Sequence, residues 1–238
     1  MNVQGKIAIV TGASRGLGAA LSAVLVSKGC RVYGLARHAE KLELIQKETG
    51  DNFVPVVMDI SNKEQLAAWI TKTFGDGHLP AILINNAGAG YFTKIDELTF
   101  DHWQEMINTN LNGTFFCTSL LVPLMKKKND YCHIINIGSI LGKTTRAEGA
   151  AYSATKYAIQ GFSESLCKEL RSYKIKVTCV NPGSMETHFF RDSGIQAHAN
   201  MLQPHDMAIL ITQLIETPDN LLVDEITMRP LWAQAPPQ

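Results

Sequence analysis

Short apolar runs alternate along the chain with longer amphipathic stretches, and glycine, proline and asparagine punctuate the joins. Lys6-Ile7-Ala8-Ile9-Val10, Arg31-Val32-Tyr33-Gly34-Leu35, Phe53 to Met58, Ala81-Ile82-Leu83-Ile84, Tyr131 to Gly138, Ile175 to Val180 and Glu225-Ile226-Thr227-Met228-Arg229 read as strands. Between them, Ala19 to Lys28, Ala39 to Glu48, Asn62 to Phe74, Phe100 to about Lys128, Ala151 to about Ser172 and Pro204 to about Thr217 carry helical patterning. Ser61 is the N-cap expected for the third helix. Gly113 and Pro123 are expected to weaken and kink the fourth. Strands alternating with helices predict right-handed crossovers and an α/β fold, a Rossmann-type doubly wound parallel sheet of about seven strands with helices on both faces. Residues 184 to 205 have no convincing period, and a stretch of that length in a compact domain predicts a lid or substrate loop.

A chain of 238 residues, 45% of them apolar, can bury one sizeable core, so a single domain over residues 1–238 is expected. Lysine plus arginine equals aspartate plus glutamate at 22 each, and no basic excess points to nucleic acid or an anionic membrane surface. An anion must therefore be caught locally. No apolar run approaches a membrane span, and strand-like residues begin almost at once, which predicts a soluble, unexported, cytoplasmic protein. Five scattered cysteines without a C-x-x-C pair fit reduced thiols, most of them small core residues. His188, His198 and His205 match no strong metal pattern.

The first strand runs into Thr11-Gly12-Ala13-Ser14-Arg15-Gly16-Leu17-Gly18 and then a helix, the arrangement in which backbone N–H groups and the helix dipole meet a phosphate. A dinucleotide pyrophosphate over Gly12, Ser14, Arg15, Gly16, Leu17 and Gly18 is the expected guest, although G-x-x-x-G-x-G differs from the G-x-G-x-x-G fingerprint. At the end of the second strand, where an acid would accept a ribose 2′-hydroxyl, the chain has Ala36-Arg37-His38. Arg37 and Arg15 offer guanidinium forks to a 2′-phosphate, which favours NADP(H) over NAD(H); the alternative is two solvated arginines. Asp59, at the end of the third strand, suits either a ligand's amino group or its own loop backbone. Asn86, Ala87 and Gly88 follow the fourth strand and let the backbone approach a ligand.

Chemistry is expected around Ser139, Tyr152 and Lys156. Ser139 ends the fifth strand, and Tyr152 and Lys156 stand one turn apart on the helix after it. A lysine charge ~5 Å from a phenol, at an effective dielectric of ~20, favours the phenolate by roughly 3 kcal/mol, or about two pKa units. On that estimate Lys156 makes Tyr152 a usable acid and Ser139 holds a substrate oxygen.

Together these residues resemble the short-chain dehydrogenase/reductases, from about Lys6 to Pro230. T-G-x-x-x-G-x-G at Thr11 to Gly18, Asp59, N-N-A-G at Asn85 to Gly88, Asn110, Ser139, Tyr152, Lys156 and Pro182-Gly183 fall in that family's order. The resemblance implies that Tyr152 is the general acid or base, that Lys156 lowers its pKa and binds the nicotinamide ribose, and that Ser139 orients the substrate oxygen. It makes Asn110 the member that maintains a water-linked proton relay, Asp59 a ligand of the adenine amino group, and Thr187, in Pro182-Gly183-x3-Thr187, a ligand of the carboxamide. The expected activity is NADPH-dependent reduction of a ketone or aldehyde. Oxidation of an alcohol or hydroxy acid is the alternative direction, and NADP(H) sensing without chemistry the alternative class. A small-molecule carbonyl or alcohol substrate and a homodimer or homotetramer are the expected partners.

Overall fold

The computed structural model describes residues 1–75, 77–187, 189 and 200–232. Strands β1 (Ile7–Thr11), β2 (Arg31–Ala36), β3 (Phe53–Val57), β4 (Ile82–Asn85), β5 (Cys132–Ile137), β6 (Ile175–Pro182) and β7 (Glu225–Met228) form one sheet in the order β3-β2-β1-β4-β5-β6-β7. Every pairing is parallel, with β1 registered on β2 from Ile7 opposite Arg31 and on β4 from Ala8 opposite Ile82. Strand order reverses between β1 and β4, and a crevice opens there beyond the strands' carboxyl ends.

Helices α1 (Gly16–Ser27), α2 (Ala39–Thr49), α3 (Lys63–Thr73), α4 (Phe100–Met106), α5 (Thr114–Lys126) and α6 (Ala150–Leu170), with a last helix Pro204–Ile215, connect the strands. The central strands β1, β4 and β5 are buried along nearly their whole length, which explains their continuous apolar runs. Polar side chains inside this core are linked: Asn85 donates to Asn136 and Thr118, and Asn136 to Ser163. All five cysteines are free and buried, as expected, and burial pushes the thiols of Cys30 and Cys117 up to about 12. Among the described residues no helix is long and apolar enough to cross a membrane.

Two local expectations are corrected. The N-cap of α3 is Asn62, whose side chain accepts from the Gln65 amide; Ser61 instead donates to Asp59. The long fourth helix is interrupted by a π-helical segment, Ile107–Gly113, while Pro123 sits inside α5 without ending it. The wider turn puts an extra residue into the helix path, so the interruption comes from backbone winding rather than from the proline. Half of the expected substrate loop, residues 188 and 190–199, lies outside the described residues. Its ends are joined by a parallel bridge between Met185 and Leu202.

Candidate active site

The crevice is a cavity of about 660 Å³ lined from the glycine turn at one end to Phe92, Leu141, Arg146, Phe189 and Met201 at the other. The turn fits a phosphate for reasons visible in its backbone. Gly12 and Gly16 have φ of 67° and 56°, which only glycine adopts freely, and a Cβ on Gly12 would stand 2.9 Å from the Ala87 Cα. No acidic residue occupies the first turn of α1, and Arg15, its N-cap, makes no side-chain capping bond there, so the amide-rich end faces the cavity. The Thr11 hydroxyl fastens this turn to the end of β4, accepting from the amides of Asn86 and Ala87, both at 3.0 Å. Asn86 in turn donates to the Thr11 carbonyl at 2.9 Å.

Ser139, Tyr152 and Lys156 are brought together at the middle of the cavity, all buried and all lining it. Ser139 is aimed from below: its amide donates to the side chain of Asn181, which itself donates to Glu225, and Glu225 pairs with Lys143. The Ser139 hydroxyl accepts from the Leu141 amide at 3.1 Å and lies close enough to Tyr152 to lower its phenol pKa. The Tyr152 ring packs on Phe92 and Phe189 at centroid distances of 5.2 and 5.5 Å. Lys156 donates to the Ile137 carbonyl at 2.8 Å, and its Nζ lies 5.6 Å from the centre of the Tyr152 ring.

This geometry corrects the electrostatics expected from spacing. Burial, not the neighbouring amine, dominates both groups: it raises the Tyr152 phenol above its ordinary value against the lowering effect of the Ser139 hydroxyl, and it lowers Lys156 to about 8. The phenol is therefore held protonated at neutral pH.

Of the cofactor-site residues expected from sequence, Gly12, Ser14, Arg15, Gly16, Leu17, Arg37, Asp59, Asn86, Ala87, Gly88, Pro182, Gly183 and Thr187 line the cavity with Tyr152 and Lys156. Gly18 does not, and neither does Asn110, expected as the catalytic residue of a proton relay. Gly18 supports the turn from beneath, where a Cβ would stand 2.3 Å from the Gly12 carbonyl oxygen. Asn110, on the π-helical segment, spends its amide on protein, accepting from the Ala89 amide and donating to the Ala89 carbonyl and to Thr155. Asp59 accepts from the amide and hydroxyl of Ser61 at 2.9 and 2.7 Å, the loop-bonding alternative, while still facing the cavity. Sequence reading missed Glu105, which lies 3.6 Å from Arg37 and accepts from Tyr91 at 2.5 Å, and missed Phe92 against Tyr152. Neither belongs to a motif; only the fold brings these pairs together.

Comparison with known proteins decides the family. The family model described as short chain dehydrogenase matches residues 6–197. The chain belongs to the short-chain dehydrogenase family. It is an NAD(P)-dependent oxidoreductase by that membership. An uncharacterized oxidoreductase of Staphylococcus saprophyticus is 32% identical over 235 residues, covering 97% of this chain and 100% of that one. One of Staphylococcus aureus is 34% identical over 230 residues, covering 95% and 97%. Among solved structures, a metagenomic short-chain oxidoreductase in complex with NADP has a TM-score of 0.84 at 32% identity, covering 98% of this chain and 100% of its own. Serine dehydrogenase in its closed form with NADP+ has a TM-score of 0.88 at 26% identity, covering 98% and 99%. The 3-ketoacyl-(acyl-carrier-protein) reductase of Brucella melitensis with NADH has a TM-score of 0.87 at 26% identity, covering 96% and 98%.

Proposed function

We propose that this member of the family reduces the carbonyl group of a small ketone or aldehyde to an alcohol with NADPH, using Tyr152 as proton donor. The observation that carries the reading is the meeting of Ser139, Tyr152 and Lys156 in the cavity that also holds the glycine turn. The open end of α1 would hold the pyrophosphate, and Arg37, assisted by Arg15, the 2′-phosphate; no acid stands at the end of β2 itself, and Arg37 exchanges its 3.6 Å contact with Glu105 for the phosphate. Two of the similar structures contain NADP or NADP+ and one NADH, so the phosphate preference rests on these arginines.

The bound cofactor supplies the hydride. Ser139 holds the substrate oxygen, and Tyr152, beside it in the cavity, donates its proton as negative charge develops there. Lys156 lies where it can bind the cofactor's ribose while the Ile137 carbonyl fixes its amine. A phenol whose pKa is raised by burial starts in the protonated form that reduction requires. Oxidation would start from the phenolate, which burial opposes. Asn110 braces the Ala89 loop from behind. Self-association through the outer faces of α4, α5 and α6 belongs to the same reading, because Trp103, Phe115 and Tyr157 leave large apolar surfaces exposed there.

Initial rates over a panel of ketones and aldehydes with NADPH and NADH, for the wild type, Tyr152→Phe and Arg37→Asp, test the reading. Tyr152→Phe is expected to lose at least about 100-fold in kcat while still binding NADPH. Arg37→Asp is expected to lower the NADPH-to-NADH ratio of kcat/KM about tenfold or more. Wild-type turnover by Tyr152→Phe would remove the acid assignment, and an unchanged ratio in Arg37→Asp the 2′-phosphate assignment.

A further inference from the structure

The formal charge of the chain sums to zero, yet the residues lining the cavity include four cations, Arg15, Arg37, Lys156 and Arg146, against one acid, Asp59. The Asp59 carboxylate is already engaged by Ser61. Under the reading given above, Arg15 and Arg37 face the nucleotide phosphates and Lys156 the ribose. That leaves Arg146.

Arg146 belongs to the loop between Ser139 and α6, at the substrate end of the cavity. Its guanidinium carbon lies 5.3 Å from the centroid of the Phe92 ring, and Phe92 lies 5.2 Å from the Tyr152 ring, so the charge is two side-chain contacts away from the phenol. A guanidinium beside an aromatic ring keeps in-plane N–H groups available to an anion. Its Nε donates to the Ala147 carbonyl at 3.3 Å, and among the described residues no carboxylate pairs with it. Lys143, on the same loop, is by contrast neutralised by Glu225. The remaining walls at this end, Leu141, Met185, Phe189 and Met201, are apolar, while Arg146 itself is exposed to solvent at the mouth.

We propose that Arg146 recognises a carboxylate on the substrate, and that the enzyme's preferred substrates are ketones with an apolar or aromatic body and a carboxylate a few bonds from the carbonyl carbon. A planar carboxylate can meet the edge of the guanidinium through two parallel N–H bonds while the carbonyl oxygen reaches Ser139 and Tyr152.

The test compares 4-oxo-4-phenylbutanoate with its methyl ester, at saturating NADPH, for the wild type, Arg146→Gln and Arg146→Lys. The wild type is expected to prefer the acid over the ester by about 10- to 100-fold in kcat/KM, chiefly through KM. Arg146→Gln should collapse that ratio towards one, and Arg146→Lys should keep part of it. A wild-type ratio near one, or a ratio that Arg146→Gln leaves intact, overturns the proposal. Equilibrium dialysis of the keto acid against the NADP+-loaded enzyme reads the same contact without turnover, and failure to bind, or binding unchanged in Arg146→Gln, also overturns it. Full activity of Tyr152→Phe on either compound would sink the acid assignment alone, because the acid-to-ester ratio does not depend on which group delivers the proton.

Discussion

Lys156, on α6 against the end of β5, is largely buried, and at neutral pH the folded chain holds its charge with little solvent around it. Its ordinary value of 10.5 falls to about 8 because burial disfavours the charged form. Below about pH 8 both folded and unfolded chains carry the proton, and the folded state bears the full cost, about 3 kcal/mol for a shift of that size. As pH rises towards 10.5 the folded chain releases its proton first, and the cost disappears. Lys156→Met removes the cost but leaves the Ile137 carbonyl without its donor, a loss of about 1 kcal/mol. We expect the variant to be about 1–2 kcal/mol more stable than the wild type near neutral pH, to lose that advantage near pH 10, and to have little turnover. Urea midpoints at the two pH values check this, and lower stability at both would refute it. The spacing of Tyr152 and Lys156 was legible because it needs only helical periodicity. The balance of charge and burial around them was not, since burial depends on β5, β6 and Phe92, which reach the pair only through the fold.

At the scale of elements, the feature hidden from sequence is the π-helical segment between α4 and α5. A hydrophobic period of 3.6 residues locates a helix from Phe100 to Lys128, and glycine and proline mark where it could bend, but one extra residue per turn leaves no compositional trace. Its effect is to place Asn110 inward, where three side-chain hydrogen bonds of 2.8–3.0 Å hold Ala89 and Thr155. Ala89 begins the loop that carries Phe92 onto the Tyr152 ring, and Thr155 donates back to the Tyr152 carbonyl. Asn110→Ala is expected to cost about 2 kcal/mol of stability, allowing about 1 kcal/mol for each bond to a buried partner and some recovery by water. Because the loop it releases touches the phenol rather than the glycine turn, kcat should fall more than NADPH affinity. Denaturation and a fluorescence titration with NADPH measure the two effects, and wild-type stability in the variant would show that the brace carries nothing.

For the molecule as a whole, alternation of strands and helices was enough to read seven strands and a parallel sheet, and the motifs fell at carboxyl ends because every strand runs the same way. What alternation could not reveal is how the sheet's interior meets acid. His133 stands on β5, buried among its neighbours, with Nε2 2.8 Å from the Thr178 hydroxyl. That hydroxyl spends its one proton on the Val223 carbonyl at 2.6 Å, so Nε2 must be the donor and Nδ1 the bare nitrogen. Nδ1 is buried with no partner, and the charges acting on the ring, Lys176 and the chain's amino terminus, are both positive. Burial, helped by these cations, lowers the imidazole from 6.5 to about 3. In the unfolded chain the ring takes up a proton near pH 6.5, whereas the folded chain refuses it until about pH 3. Stability is therefore fully present above the higher value and drains away as pH falls between the two, by about 2 kcal/mol on reaching about pH 5. His133→Phe keeps a ring in the core and leaves the Thr178 to Val223 bond in place, but cannot titrate. Whatever its stability at about pH 7.5, the variant should lose about 2 kcal/mol less than the wild type when urea unfolding is repeated at about pH 5, since the other histidines and carboxylates contribute alike to both. Equal losses in the two proteins would mean that the ring is reached by water or by an acceptor that relieves its charge, and that acid enters the fold elsewhere.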